Sequence, residues 1–185
     1  MSSAVSKGLG MTSDFELLDR LKEGDRGALE EIVSKYQKPI YFFILRTIWN
    51  EADAADLSQK TFVNAFRNIH SFDRRSNFKT WLYRIAINVC KNHFRDDPRR
   101  REVNIEGMVF VDEMNPLEQI ISQEERVCLS LALNELPEKQ RRTVILKVYQ
   151  GLKYREIAEI TGCSEGTAKA NFHFGVKKLR EVLRG

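Results

Sequence analysis

The side chains with most to offer chemically are hydrogen-bond donors set at helical spacing. Arg84, Asn88, Lys91, Asn92 and Arg95 stand at i, i+4, i+7, i+8 and i+11, so a helix places them along one stripe. The stripe holds no acidic residue, whereas a solvated helix face usually mixes signs for i,i+4 pairing. Guanidinium, ammonium and carboxamide groups in a row can donate to phosphates and base edges; a simple basic surface is the competing reading. A second set lies near the C-terminal end, where Lys169, Asn171, His173 and Lys177 share a segment with Ala170 and Phe174. This is the chemistry of recognition. His70, His93 and His173 are not at metal-ligand spacing, and neither a glycine-rich phosphate loop nor a nucleophile motif occurs. No catalytic residue, no metal site and no cofactor is expected.

Helical elements must position these groups. Leu152 to Lys169 reads as a short amphipathic helix, a tight turn and a second helix. Ile157, Ala158 and Ile160 give the first helix an apolar edge, and Ala158 is small enough for another backbone to approach. Gly162 stands at the turn, with the positive φ that glycine adopts at least cost. Ser164 offers a side-chain oxygen to cap the next helix, and Glu165 in its first turn suits the helix dipole. Two helices joined so form a helix-turn-helix, whose second helix enters the DNA major groove. The plainer alternative is an αα-hairpin in a helical core.

In that second helix Ala168, Phe172, Gly175, Val176 and Leu179 share an inward face. Gly166, Ala170, His173, Phe174 and Lys177 lie opposite, with Lys169 on the flank and Asn171 near the core edge. Ala170 suits a thymine methyl, and His173 a base edge or a phosphate. Phe174 either packs outward on a sugar or thymine or, with the helix rotated, joins the core.

The donor stripe has its own scaffold. Phe78, Trp81, Leu82, Ile85, Ala86 and Val89 follow the spacing of one buried helical face. Before it, the run His70-Ser71-Phe72-Asp73-Arg74-Arg75-Ser76-Asn77 is a polar, aromatic-containing loop of the kind that can cradle an unstacked base. In residues 53–67, Ala55, Phe62, Ala65 and Phe66 face inward, with Ile69 just beyond. Asp56, Gln59, Lys60 and Val63 form a mixed-charge face, and periodicity alone favours plain surface for it.

Composition sets bounds. The 185 residues are 42% hydrophobic and 30% charged, ordinary for a soluble helical protein of one domain or two small ones. Residues 137–185 carry eleven Lys/Arg against five Asp/Glu, while residues 1–136 carry nineteen against twenty-one. All excess positive charge therefore gathers around the helix-turn-helix, as phosphate neutralisation requires. No apolar run approaches membrane-spanning length and no signal peptide is evident, so no membrane insertion is expected. Cys90, Cys128 and Cys163 are odd in number and widely spaced, which argues for a reducing cytoplasm.

Residues 14–95 read as nearly continuous helix with breaks at Gly24-Asp25, near Lys38-Pro39, at Asn50 and over 70–77. Pro39 fits a helix first turn. The pattern dissolves from Asp96 to Pro116, a stretch longer than connections inside a compact bundle. Helix resumes near Leu117 and breaks again at Leu136-Pro137. The expectation is an all-α chain of two small helical domains joined by a flexible linker.

Asp53-Ala54-Ala55-Asp56-Leu57-Ser58-Gln59-Lys60-Thr61-Phe62, followed by Phe78-Lys79-Thr80-Trp81-Leu82-Tyr83-Arg84-Ile85-Ala86-Ile87-Asn88, resembles region 2 of sigma-70-type initiation factors of the extracytoplasmic-function (ECF) group. Leu136-Pro137-Glu138-Lys139-Gln140-Arg141, with Tyr154-Arg155-Glu156-Ile157-Ala158 and Gly166-Thr167-Ala168-Lys169, looks like their region 4. The resemblance covers about residues 14–185. It implies a tail at 1–13, region 2 at 14–96, a linker at 97–116 and region 4 at 117–185.

The same resemblance implies roles. Asp56, Leu57, Gln59 and Lys60 would dock on the β′ clamp helices of core RNA polymerase, with Phe62 mostly core. His70, Ser71, Phe72, Arg74, Arg75, Asn77 and Lys79 would join Arg84, Asn88, Lys91, Asn92 and Arg95 in opening and reading the −10 element. Arg155, Ser164, Gly166, Thr167, Lys169, Ala170, Asn171, His173, Phe174 and Lys177 would read the −35 element as duplex. The first part of region 4 would touch the β flap. Arg99-Arg100-Arg101 in the linker would follow nucleic acid or be a solvated charge run. Phe174 departs from the basic residue common in relatives. An anti-sigma partner is implied by analogy alone.

The main rival is a free-standing helix-turn-helix repressor or activator, which predicts a symmetric dimer and palindromic sites. It leaves the donor stripe unexplained. Further rivals are an RNA- or single-strand-binding protein with no polymerase role, and a nuclease or other nucleic-acid enzyme, which needs a metal-binding carboxylate cluster that the sequence lacks.

Overall fold

The computed structural model describes residues 13–96 and 122–184. The tail, the linker with its arginines at 99–101 and the helix start near Leu117 lie outside the described residues. All regular structure among the described residues is helical: α1 (Asp14–Lys22), α2 (Arg26–Ile48), α3 (Glu51–Arg67), a 3₁₀ turn (Ile69–Ser71), α4 (Phe78–Asp96), α5 (Gln123–Asn134), α6 (Glu138–Val148), α7 (Tyr154–Thr161) and α8 (Glu165–Arg184). The chain divides into two compact units, Met1–Tyr36 and Gln37–Gly185.

In the first unit, Ser13 and Glu16 cap α1 reciprocally, satisfying two backbone N–H groups that the helix leaves open. Gly24 turns the chain at φ 92°. Asp14 accepts hydrogen bonds from Lys35 Nζ (2.6 Å) and Tyr36 Oη (2.5 Å). Arg20 pairs with both Asp25 and Glu31.

The second unit opens inside α2. Pro39 is an interior residue of that 23-residue helix, not the first-turn residue that its sequence context suggests. The missing N–H at 39 leaves one backbone carbonyl without its helical donor. Ile40, Phe43, Ile44, Leu45 and Ile48 continue the buried face past it, and their burial outweighs the local defect. Asn50 then caps α3 through the Asp53 N–H.

On α3 the buried alanine is Ala54; Ala55, expected inside, is exposed. Ala54, Leu57, Ser58, Thr61, Phe62 and Ala65 form the inward face, shifted by one residue at its start. Asn77 Oδ1 caps α4 at the Thr80 N–H (2.7 Å). That helix buries the predicted face, Ile85 only partly, and a second one as well: Tyr83, Ile87, Cys90 and Phe94 are all buried. The reason is packing on two sides, against α3 and against α7.

The helices after 122 make their own cluster. Ser122 and Glu125 form a capping box at α5. Leu136, Val144, Ile145, Leu146, Leu152, Ile157, Ala158, Ile160, Ala168 and Leu179 are buried among α5 to α8. At Gly175 α8 and α6 approach closely: an added Cβ would sit 2.8 Å from Val144 Cγ2 and 3.5 Å from the Gln140 carbonyl oxygen.

Candidate nucleic-acid interface

The helix-turn-helix forms by the local chemistry its sequence suggests. Gly162 ends α7 in the left-handed region at φ 71°, its N–H bonded to the Ala158 carbonyl. Ser164 Oγ accepts from the Thr167 N–H at 3.0 Å and pairs with the Thr167 hydroxyl at 2.8 Å, fixing the start of α8. Gly166, Thr167, Lys169, Ala170, His173, Phe174 and Lys177 are exposed on that helix, and Asn171 is half-buried. Phe174 points outward at 56% exposure, which decides between its two expected positions. Its ring meets His173 edge-on with centroids 5.8 Å apart.

Charges around α8 are arranged by neighbours. Glu165 accepts from Lys169 Nζ at 2.9 Å, and this hydrogen bond raises the lysine pKa, holding it cationic. The Tyr154 ring lies under Lys147 Nζ (4.9 Å) and near Lys169 Nζ (6.0 Å). Tyr154, Lys169, Phe172, His173, Lys177, Arg180 and Arg184, with Val176 and the acidic Glu181, line a groove of about 640 Å³. Arg155 is exposed at the first turn of α7.

The donor stripe on α4 is exposed along its length: Arg84, Asn88, Lys91, Asn92 and Arg95 all face outward. Its two edges border different hollows. Lys91, with Phe94, lines a cavity of about 350 Å³ shared with Arg142, Thr161, Thr167 and Asn171. Asn92 lines a groove of about 490 Å³ against α3, together with Asp56, Leu57, Gln59, Lys60 and Val63. In that groove Asp56 and Lys60 form an i,i+4 ion pair at 2.6 Å, Leu57 is a buried floor residue, and Val63 is exposed. His93 Nε2 stands 3.5 Å from Asp53 Oδ2, tying α4 to α3 behind it.

The loop before α4 is less open than its composition suggests. Phe72 is buried, packed edge-on against Phe78 (5.9 Å) and tilted on Trp81 (5.3 Å). His70, Ser71, Arg74 and Arg75 are exposed around it, and Arg74 adopts φ 62°. Asp73 accepts from Arg75 Nε at 3.0 Å. Phe72 therefore anchors the loop whose polar residues surround it.

Asn77 and Lys79 have partners far along the chain. Asn77 Nδ2 donates to Glu156 Oε1 at 2.5 Å, and Lys79 Nζ to the Gln150 carbonyl oxygen at 2.8 Å. Fully buried Tyr83 donates its hydroxyl to Gln150 Oε1 at 2.5 Å. The Arg46 guanidinium lies 4.1 Å from the centre of the Tyr149 ring. Gln150, Tyr83, Arg46 and Tyr149 escape sequence reasoning, because nothing local marks them as a contact set. The positive φ of Gly151 (64°) is the one local sign that the chain turns sharply there.

Two family models match: Sigma-70 region 2 over residues 32–100 and Sigma-70, region 4 over residues 126–179. The chain is 33% identical to the RNA polymerase sigma-H factor of Pseudomonas aeruginosa over 95% of this chain and 96% of that protein. It is a sigma-70 factor of the ECF group. It is also 32% identical to the ECF RNA polymerase sigma factor SigW of Bacillus subtilis, over 90% of this sigma factor and 95% of that one.

Among solved structures, the sigma factor RpoE in complex with the anti-sigma factor NepR from Bartonella quintana is 26% identical, with a TM-score of 0.68. That match covers 84% of this chain and 96% of the other. CnrH in complex with the cytosolic domain of CnrY shares the fold, with a TM-score of 0.74 at 20% identity over 94% and 98% of the two chains. Among the described residues of the sigma factor, no helix is long and apolar enough to cross a membrane. The donor stripe falls within the region 2 match, and the helix-turn-helix within the region 4 match.

Proposed function

We propose that this sigma factor binds core RNA polymerase and gives it promoter choice and strand opening, each region supplying a polymerase-facing surface and a DNA-reading one. Asp56, Gln59 and Lys60, above the floor made by Leu57, dock on the β′ clamp helices. Arg84, Asn88, Lys91, Asn92 and Arg95, with the polar loop residues His70, Ser71, Arg74 and Arg75, open the −10 element and hold its unstacked bases. Asn77 and Lys79 belong to the same surface. Arg155, Lys169, Ala170, Asn171, His173, Phe174 and Lys177 read the −35 element as duplex, with Ser164, Gly166 and Thr167 setting the helix start. The early part of region 4 touches the β flap.

The reading rests chiefly on one observation. An acid-free stripe of exposed donors lies on α4 while a capped helix-turn-helix stands in the same chain, so two different nucleic-acid surfaces occur together. RNA synthesis belongs to the polymerase; this chain acts with it in the cytoplasm and is not itself an enzyme. Its similarity to RpoE, solved with the anti-sigma factor NepR, supports an inhibitory protein partner here also.

The test is co-elution of the purified chain with bacterial core RNA polymerase on a sizing column, beside the Asp56→Ala/Gln59→Ala variant. Stoichiometric co-elution that the variant loses is the expected result. A wild-type chain that never associates with core, yet protects a palindromic duplex as a dimer, would replace this reading with that of a free-standing regulator.

A further inference from the structure

Arg142 of α6 is a buried cation with a donor to spare. The residue is 6% exposed, and its Nη2 pairs with Glu138 one helical turn earlier. Its Nε–H is shielded from solvent and has no acceptor among the described residues. Burying a charged donor without an acceptor is costly, and an apolar side chain of similar volume would avoid that cost. An acceptor brought from outside would complete this guanidinium.

The place for such an acceptor is the cavity of about 350 Å³ that Arg142 lines, bordered by α4, α6 and the helix-turn-helix. Lys91 and Lys139 line it too, and among its described lining residues Glu138 is the sole carboxylate. Three cations against one carboxylate leave a surplus of two positive charges. That surplus matches a phosphate dianion, whose oxygens suit guanidinium and ammonium donors.

The other walls suit an organic group carried by the phosphate. Thr143 and Thr161 donate their hydroxyl hydrogens to the Lys139 and Ile157 carbonyls, at 2.8 and 2.7 Å. With those hydrogens committed, the two oxygens can only accept. They repel a bare anion and favour ligand hydroxyls. Phe94 supplies an apolar surface beside them. The volume is at the small end of the range for small-molecule sites, which admits a phosphate with a compact group attached.

We propose that this cavity binds a small phosphate monoester. Arg142 Nε–H, Lys91 and Lys139 hold the phosphate, and Thr143 and Thr161 accept from hydroxyls of the organic part. The site is additional to the polymerase and DNA surfaces. Free inorganic phosphate shares the dianion chemistry, and the threonine acceptors are what favour the ester over it.

The test is isothermal titration calorimetry of the full-length chain at pH 8, where a phosphate monoester is a dianion. The probes are ribose 5-phosphate and inorganic phosphate, with sodium chloride holding ionic strength constant. Ribose 5-phosphate is expected to bind saturably, one to one, and more tightly than inorganic phosphate. Arg142→Met should weaken that binding by about tenfold or more, as loss of a hydrogen bond to a charged group does. Lys38→Met, which removes an exposed cation of α2 outside the cavity, should leave it unchanged. Melting followed by circular dichroism establishes that each variant is folded. Lys139→Met, expected to weaken binding about two- to fivefold, carries the test if Arg142→Met does not fold. Equal affinity for the two probes overturns the ester in favour of the free ion. No saturable binding of either probe to the folded wild type, or full-strength binding by folded Arg142→Met, overturns the site. Should neither probe bind while Arg142→Met weakens binding to a −35 duplex, the arginine serves the DNA backbone instead. Neither polymerase nor DNA enters the titration, so its failure leaves the sigma reading standing.

Discussion

Gly175 in α8 and Val144 in α6 are in direct opposition, with 2.8 Å between Val144 Cγ2 and the place where a Cβ would stand on the glycine. Replacing a mid-helix glycine with alanine ordinarily stabilises a helix by about 0.5–1 kcal/mol. Here overpacking dominates. Gly175→Ala should destabilise the helices around it by about 1–3 kcal/mol. Denaturant unfolding of Gly175→Ala, Val144→Ala and the double variant measures the coupling. The double variant should be more stable than the sum of the single losses implies.

The two nucleic-acid surfaces should separate by assay. Arg84→Ala and Asn88→Ala are expected to slow open-complex formation while leaving duplex binding nearly unchanged. Lys169→Ala should weaken binding to a −35 duplex and lower the salt slope by about one unit. Permanganate footprinting reads the first effect and a salt titration of duplex binding the second. Equal effects of both kinds of variant on closed and open complexes would contradict this division.

Cysteine chemistry should follow burial. The Cys90 thiol is pushed up to about 12 by its buried surroundings, whereas Cys128 is exposed. At pH 8 iodoacetamide should modify Cys128 and spare Cys90 until the chain is unfolded, as peptide mass mapping would show. The linkage sign follows. Between the ordinary thiol pKa of 9.0 and about 12 the unfolded chain has lost a proton that the folded chain keeps, so this residue makes stability fall as pH rises through that window. Cys90→Ala should flatten that part of the stability–pH curve.

Pro39 is tolerated inside α2, and its removal should show how much it costs. Pro39→Ala restores a helical N–H and should raise stability, by less than the roughly 3 kcal/mol difference seen in isolated helices, since ring packing is lost. A lower melting temperature in this variant would mean that the ring's contacts outweigh the hydrogen bond.

What could be read from the residues divides by range. Gly162 and Ser164, or Asn50 and Asp53, lie within four positions of what they satisfy, so turn and cap follow from local chemistry. The exposed stripe of α4 is legible for the same reason, since helical period fixes which residues share a side. The second buried face of α4 is not legible, because what touches it is remote: Tyr83 and Gln150 are 67 positions apart. Pro39 misleads because tertiary packing overrides local preference. Phe72 misleads because a polar loop can still need an aromatic anchor. At Phe174 the periodicity left two orientations open, and the neighbours of α8 select the outward one.

Under the proposed −35 role, the outward ring of Phe174 carries a thermodynamic consequence for promoter choice. Cationic contacts to phosphates weaken steeply as salt rises, because the counterions they displace are released into an already concentrated solution, whereas apolar contact with a thymine methyl draws on the hydrophobic effect and is nearly indifferent to ionic strength. On the proposed reading, in which Phe174 meets a thymine of the −35 element, part of the sequence preference persists in concentrated electrolyte. Its binding should also release more heat as temperature rises, since apolar burial carries a negative heat-capacity change. Uracil in place of thymine at the contacted position, lacking only the methyl, would remove that component and leave the charge term as it was.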